Sequence, residues 1–243
     1  MKFLRSNIIW LDSVDSTNSE ALRRLSSLPS GTVLAAREQT AGRGQRGNTW
    51  FSEPGKNLTF SVVLKSLDLP AAEAFRLNCL CSVAVSDFLA SYGVASSVKW
   101  PNDIYASGRK ICGMLLENGL ADGSVAYSVM GIGINVNQTE FPNLANATSI
   151  ASLIGKAIDV DKSLQTFLEI LAKWLPQLRS AELFDQYERR LYRLGTSARY
   201  HDMLRGEDFE GIIRGVDPDG RLRIEDAAGR IRRYYFKEVS YIL

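Results

Sequence analysis

Residues 125–134 form a near-continuous apolar run interrupted only by small residues, with glycines at 131 and 133. The run is far shorter than the roughly 20 apolar residues that a membrane helix needs. It reads as a strand over 125–136, covered on both faces and therefore central in a sheet. Such a strand demands partners, and the chain offers them at 8–11, 32–37, 57–64, 95–100 and 110–117. Helical patterns lie between: one opens at Ser16-Thr17-Asn18-Ser19-Glu20, where Thr17 and Glu20 have capping-box spacing. Ala21, Leu22, Leu25 and Leu28 give it an apolar face. Others cover 71–92, 147–154 and 162–194, the last broken near Pro176.

The pattern changes at Gly195. Beyond it come only short strands and turns, punctuated by Asp217-Pro218-Asp219-Gly220 and Ala227-Ala228-Gly229. The expectation is an α+β fold: a mixed central sheet flanked by helices over 1–194, and a small barrel of about five strands over 195–243. With 243 residues, 45% of them hydrophobic, the chain can build a sizeable core.

Charge and rare residues narrow the function. A net charge of +2 gives no footprint for nucleic acid or an anionic membrane surface, and the barrel segment balances nine basic against nine acidic residues. The N-terminus carries no signal peptide pattern. Cys79, Cys81 and Cys112 lack metal-type spacing and read as reduced thiols of a cytoplasmic protein, with Cys79 and Cys81 in the core. His201 is the one histidine. That excludes a multi-histidine zinc site and speaks against a Ser-His-Asp triad; His201 reads as an ordinary surface or half-buried residue.

Three clusters can carry chemistry. Residues 39–50 fit neither helix nor strand and interleave Gly42, Gly44 and Gly47 with Arg43 and Arg46. Glycines let backbone approach a ligand, exposed N–H groups make an anion nest, and arginines offer forked donors to carboxylate or phosphate. The length suits a lid that closes over its ligand. No Gly-Lys-Ser/Thr follows and no helix opens here, so this is neither a Walker A loop nor a dinucleotide fingerprint. The second cluster is Lys99-Trp100-Pro101-Asn102-Asp103, where a strand ends in polar residues. Arg109-Lys110 follows it, and Lys110 is open to two readings, an anion contact or a solvated edge lysine. The third is Gly131-Ile132-Gly133-Ile134-Asn135. Its glycines mark close approach by a ligand or by another element. Together these describe a pocket for a small anionic ligand, with catalysis by positioning and charge rather than by a covalent nucleophile.

Asp15-Ser16-Thr17-Asn18, Gln39-Thr40-Ala41-Gly42-Arg43-Gly44, Arg46-Gly47, Trp50, residues 98–103, Arg109-Lys110 and residues 131–135 occur in that order. The chain from about residue 8 to its end resembles a biotin protein ligase, also called biotin–[acetyl-CoA-carboxylase] ligase. The resemblance implies a class II synthetase-like sheet of the biotin/lipoate ligase superfamily with an SH3-like C-terminal barrel. It implies two steps: biotin and MgATP give biotinyl-5′-AMP, and a lysine ε-amine of a biotin carboxyl carrier protein then takes the biotin.

By the same resemblance, Ser16, Thr17, Asn18, Gln39 and Gly113 line the biotin pocket, and the loop from Gly42 through Gly44 and Arg46 to Gly47 is the lid. Arg43 and Lys110 hold carboxylate and α-phosphate and are the catalytic pair. Trp50 supports the loop, and Arg46, Trp50, Asn102, Lys110, Asn135 and Arg214 serve the nucleotide. Mg²⁺ rides on substrate phosphates, so no protein ligand is assigned. The carrier is expected to belong to acetyl-CoA carboxylase or another biotin-dependent carboxylase. Relatives dimerise through a sheet edge, and a homodimer stays open here.

This sequence departs from the family pattern at Gln45, where the lid often carries an arginine. The pattern starts almost at the first residue, leaving no room for the helix-turn-helix domain of some members, so no operator binding is expected. Two rival readings stand: a lipoate or octanoate ligase of the same superfamily, with Cys112 the sole candidate nucleophile for its transferase relatives, and a non-enzymatic biotin-binding module.

Overall fold

The structure is a computed structural model describing residues 7–242 apart from 143 and 145; the side chain of Arg46 also lies outside the description. Seven strands make the main sheet: β1 (Ile8–Val14), β2 (Thr32–Gln39), β3 (Leu58–Lys65), β4 (Ser97–Lys99), β5 (Asp103–Ala106), β6 (Arg109–Ala121) and β7 (Ser124–Ile134). Their order is β1-β2-β3-β7-β6-β5-β4. The apolar run of β7 thus occupies the middle of the sheet. Only β1 and β2 pair in parallel; every other pairing is antiparallel. Strand β5 escapes the sequence pattern because it is four residues long and follows directly on the polar turn at Pro101-Asn102.

Strand alternation divides the sheet into two unlike faces. On one, Leu58, Phe60, Val62 and Leu64 of β3 and Met130, Ile132 and Ile134 of β7 enter the large core. Helices α2 (Phe75–Ala90), α4 (Val160–Trp174) and α5 (Ala181–Arg189) cover it, joined by the short α3 (Ile150–Ile154). Phe167 of α4 wedges between Phe60 and Phe88, its ring centroid 5.1 Å and 6.0 Å from theirs. The expected helix over 162–194 is divided by a 3₁₀ turn at Leu175–Gln177 that carries Pro176. On the opposite face the short α1 (Thr17–Arg23) packs over Leu34, Val63 and Val129. That face is left open for a pocket.

Helix α1 begins differently from expectation. Ser16 is its N-cap, without a side-chain capping bond. The Thr17 hydroxyl donates to Gln39 Oε1 instead. Glu20, the other half of the expected capping box, pairs with Arg23. A tertiary partner outcompetes the local cap.

The second sheet is antiparallel: β8 (Ser197–Asp202), β9 (Glu207–Val216), β10 (Leu222–Asp226), β11 (Ile231–Tyr234) and β12 (Val239–Tyr241), in the order β11-β10-β9-β8-β12. Trp100 ties it to the main sheet, its indole N–H donating to Gly220 O at 2.9 Å. Glu188 of α5 accepts from the Val216 amide at 2.8 Å. His201 is half-buried and bonds Asp208 within this sheet. Among the described residues, no helix is long and apolar enough to cross a membrane.

Asp202 anchors the small sheet. Burial alone would raise its pKa, but the Tyr234 hydroxyl, the amides of Arg205 and Leu204, and the Arg205 charge outweigh it and hold the carboxyl below its ordinary value. A depressed folded pKa adds stability above the unfolded value of about 3.9, and that stability is lost as pH falls through the folded pKa. Urea melts from pH 7 to 2 are therefore expected to show a loss beginning below about pH 4. Asp202→Asn should remove part of that acid dependence, and an unchanged acid slope in the variant would contradict the assignment.

Candidate active site

The open face of the sheet is built in rows. Ser61, Gly131 and Leu115 lie side by side across β3, β7 and β6, and Thr59, Gly133 and Gly113 form the next row. The glycines are gaps that other elements fill. A Cβ on Gly131 would sit 2.2 Å from Asn18 Oδ1, and one on Gly133 would sit 2.4 Å from the Trp50 indole. Gly113 meets the same indole at 3.0 Å. Both glycines of the β7 run therefore mark close approach by protein: α1 settles over Gly131, and the loop after β2 lays Trp50 over Gly133.

Above this floor is a cavity of ≈ 510 Å³, a size ordinary for a small-molecule site. Its wall gathers Ser16, Thr17, Asn18, Gln39, Arg43, Gly44, Trp50, Asn102, Lys110 and Gly113, residues from four separate stretches of the sequence. Gly42 backs the wall: its carbonyl accepts from the Trp50 amide, and a Cβ there would collide with Trp50 O at 2.3 Å. The side chain of Arg46 lies outside the described residues. Gln45 faces the cavity, with a buried Oε1 that has no partner.

Two nucleotide assignments find no support in this geometry. Asn135 is off the cavity wall; it is buried and donates to Thr148 O at 2.9 Å, fastening the turn before α3. Arg214 is also off the wall; its Nε pairs with Glu225 at 2.7 Å across the β9–β10 pair. The small sheet reaches the cavity instead through Met203, Phe236, Lys237, Val239, Ser240 and Tyr241.

At one end the wall is a chain of oxygens. Gln39 Oε1 accepts from the Thr17 amide and hydroxyl at 2.8 and 3.0 Å. Thr17 Oγ1 lies 2.8 Å from Ser61 Oγ, which lies 2.6 Å from Asn18 Oδ1. Both ends of the chain are fixed as acceptors. The Thr17 amide fixes Gln39, and Asn18 Nδ2 already donates to Leu115 O and to Glu117 Oε2, at 3.0 and 2.9 Å. Three oxygen–oxygen contacts thus share the two hydroxyl hydrogens of Thr17 and Ser61. The network is one donor short, and a ligand N–H is the natural complement.

The other end is cationic. Lys110 pairs with Asp103 at 2.7 Å and lies 5.9 Å from the Trp50 ring. Arg43 stands apart from this end, beside Asn18: it pairs at 2.9 Å with Glu117, whose other oxygen accepts from the Asn18 amide. Lys99 donates to the Tyr105 hydroxyl at 3.1 Å. Burial pushes the Lys99 ammonium below its ordinary pKa, with Asp103 pulling the other way. Such a cluster suits carboxylate and phosphate. Sequence reasoning passed over Ser61 and Glu117. Stepping two residues at a time from Gly113 along β6 reaches Leu115 and Glu117 on the same face, so that signal was available.

The order of strands, the floor and the wall can now be set beside known proteins. Residues 10–135 match the model of the biotin/lipoate A/B protein ligase family, and residues 203–240 that of the biotin protein ligase C-terminal domain. The chain belongs to the biotin/lipoate A/B protein ligase family. Among its relatives is a biotin–[acetyl-CoA-carboxylase] ligase of Paracoccus denitrificans, 31% identical over 83% of this chain and 90% of the relative. The bifunctional ligase/repressor BirA of Bacillus spizizenii is 36% identical over 63% of this chain. This chain spans about half the length of that relative, 49%. A solved structure of biotin protein ligase from Aquifex aeolicus in complex with biotin and ATP superimposes with a TM-score of 0.80, at 29% identity, over 96% of this chain and 97% of that one.

The glycine floor is testable without any ligand. Gly131→Ala is expected to cost about 1–3 kcal/mol through overpacking against Asn18. In an Asn18→Ala background the cost should fall below about 0.5 kcal/mol. Additive costs in urea denaturation would contradict the packing.

Proposed function

We propose that this chain is an ATP-dependent biotin protein ligase that forms biotinyl-5′-AMP and passes biotin to a lysine ε-amine of a biotin carboxyl carrier protein. The observation that carries the reading is the polarity of one cavity, donor-poor at the Thr17–Asn18 end and cationic at the Lys99–Lys110 end. Biotin has that polarity. Its ureido ring offers two N–H donors, and its valerate tail ends in a carboxylate. The complexes named for relatives, with biotin and ATP, support the same reading.

In the first step a carboxylate oxygen bonds to the α-phosphorus of ATP and the bond to pyrophosphate breaks. Two anions must approach, and Arg43, Lys110 and Lys99 offset their repulsion. Lys110 is held toward the cavity by Asp103, so its ammonium is positioned before the anions arrive. The cavity wall presents one carboxylate, Asp103, already engaged by Lys110. This donor set fits Mg²⁺ ligated chiefly by nucleotide phosphate, where it would add charge neutralisation. The loop from Gly42 to Trp50 shields the mixed anhydride from water. In the second step the amine attacks the acyl carbon, AMP leaves with the bonding pair, and the amine proton passes to solvent. Access for the carrier lies on the side where Met203, Lys237 and Ser240 border the cavity. The division of labour falls at Gly195, with the catalytic domain before it and the SH3-like module after it. The setting is the cytoplasm, and the carrier belongs to a biotin-dependent carboxylase.

The lipoate reading is weaker on chemical grounds. A dithiolane ring brings no N–H donor to a pocket that lacks one. Cys112 is wholly buried in the helix-side core, and burial raises its thiol well above the ordinary range, so it is no thiolate nucleophile.

Lys110→Ala and Arg43→Ala are each expected to slow adenylate formation at least roughly a hundredfold, the scale of losing one charge-stabilising group. Near-normal formation in either variant would overturn its role. Incubation with ATP, biotin and a carrier domain should add one biotin to the carrier by mass, and no shift would overturn the function.

A further inference from the structure

Glu117 touches both halves of the site while standing on the rigid sheet. It lies on β6, two residues beyond Leu115 and on the same face. Its Oε2 accepts from Asn18 Nδ2 at 2.9 Å, and its Oε1 accepts from Arg43 Nη2 at 2.9 Å. Arg43 Nη1 lies 3.4 Å from Oε2 and 3.3 Å from Ser19 Oγ. One carboxylate thus receives the first arginine of the lid and the amide of the pocket helix.

The rest of the lid rests on the floor through Trp50 and is otherwise held by backbone bonds within itself. Its base is closed by the Trp50 amide donating to Gly42 O and by the Gly44 amide donating to Asn48 O, with an Arg43–Thr49 bridge between them. Among the described side chains, the Arg43–Glu117 pair is the ion pair that ties this hairpin to the sheet floor. The same carboxylate sets the Asn18 amide. With Nδ2 drawn to Glu117 and Leu115 O, Oδ1 is left facing Ser61, and the oxygen chain described above ends in an acceptor. Without the carboxylate, one of the two contacts that forbid the flipped amide is gone.

We propose that Glu117 is a positioning residue: it docks the lid on the sheet through Arg43 and fixes the Asn18 amide, so lid order and pocket polarity depend on one group. The effect on biotin rests on reading the cavity as the biotin pocket; the docking of the lid does not. Glu117→Gln keeps size and one acceptor oxygen but removes the charge that holds Arg43.

Limited trypsin digestion of the protein without ligand reads the lid directly, because cleavage after Arg43 or Arg46 reports how often it lifts. Glu117→Gln is expected to speed that cleavage about fivefold, the order of one partly exposed ion pair. The thermal midpoint should stay near that of the parent. Arg43→Ala, a loop change that leaves the core untouched, should speed cleavage after Arg46 to the same degree, and the double variant no further. In steady-state assays Glu117→Gln should raise the biotin KM about tenfold with kcat within about threefold. Unchanged lid cleavage in both single variants would overturn the proposal, as would additive acceleration in the double variant. Accelerated cleavage with no protection of any form by biotin would support the docking of the lid and overturn the biotin reading instead.

Discussion

The seating of Asn18 over Gly131 is the contact on which the site depends. The missing side chain at position 131 lets α1 come down onto the sheet, and the amide then reaches three strands at once: Ser61 on β3, the space above Gly131 on β7, and Leu115 and Glu117 on β6. A buried amide with its donors and acceptor engaged is expensive to misplace, so it fixes the helix N-terminus that presents Ser16 and Thr17. The helix-covered face of the same strands supplies the stability. Phe60, Met130 and Ile132 point there, leaving the other face free for polar work.

The loop carrying Arg43 and Trp50 is a different kind of structure. It has few apolar contacts of its own and borrows order from the floor. Trp50 rests on Gly113 and Gly133, and its indole N–H and the Gln45 Oε1 are both buried without a partner among the described residues. These two groups are satisfied only if something enters or the loop moves. Low local stability is what a closing loop requires. Gln45 also puts a neutral amide on the wall, so under the proposed function the cationic end that would hold an anionic intermediate is that of Lys99 and Lys110.

Much of this was legible in the sequence, and the reasons are physical. The apolar run of β7 announced a central strand, because a strand covered on both faces cannot afford polar residues. The Gly-Arg loop announced itself by fitting neither period. What stayed hidden was long-range. Ser61 sits in an apolar strand and looks like any serine until the register sets it beside Gly131 and Asn18. Glu117 reads as an ordinary strand-end carboxylate until Arg43 folds onto it from 74 residues away. Thr17 has the spacing of a helix cap, yet its hydroxyl turns to Gln39, 22 residues on. Asn135 shows the converse: a polar residue in a suggestive place whose side-chain amide is engaged by Thr148 O.

The polarity of the cavity is the central claim, and exchange of labelled pyrophosphate into ATP tests it most directly. Exchange requires only the first half-reaction and no carrier. Label is expected in ATP when biotin is present and not when lipoate replaces it. Exchange supported equally by lipoate, or no exchange with biotin, would contradict the assignment of a donor-poor pocket facing a cationic end.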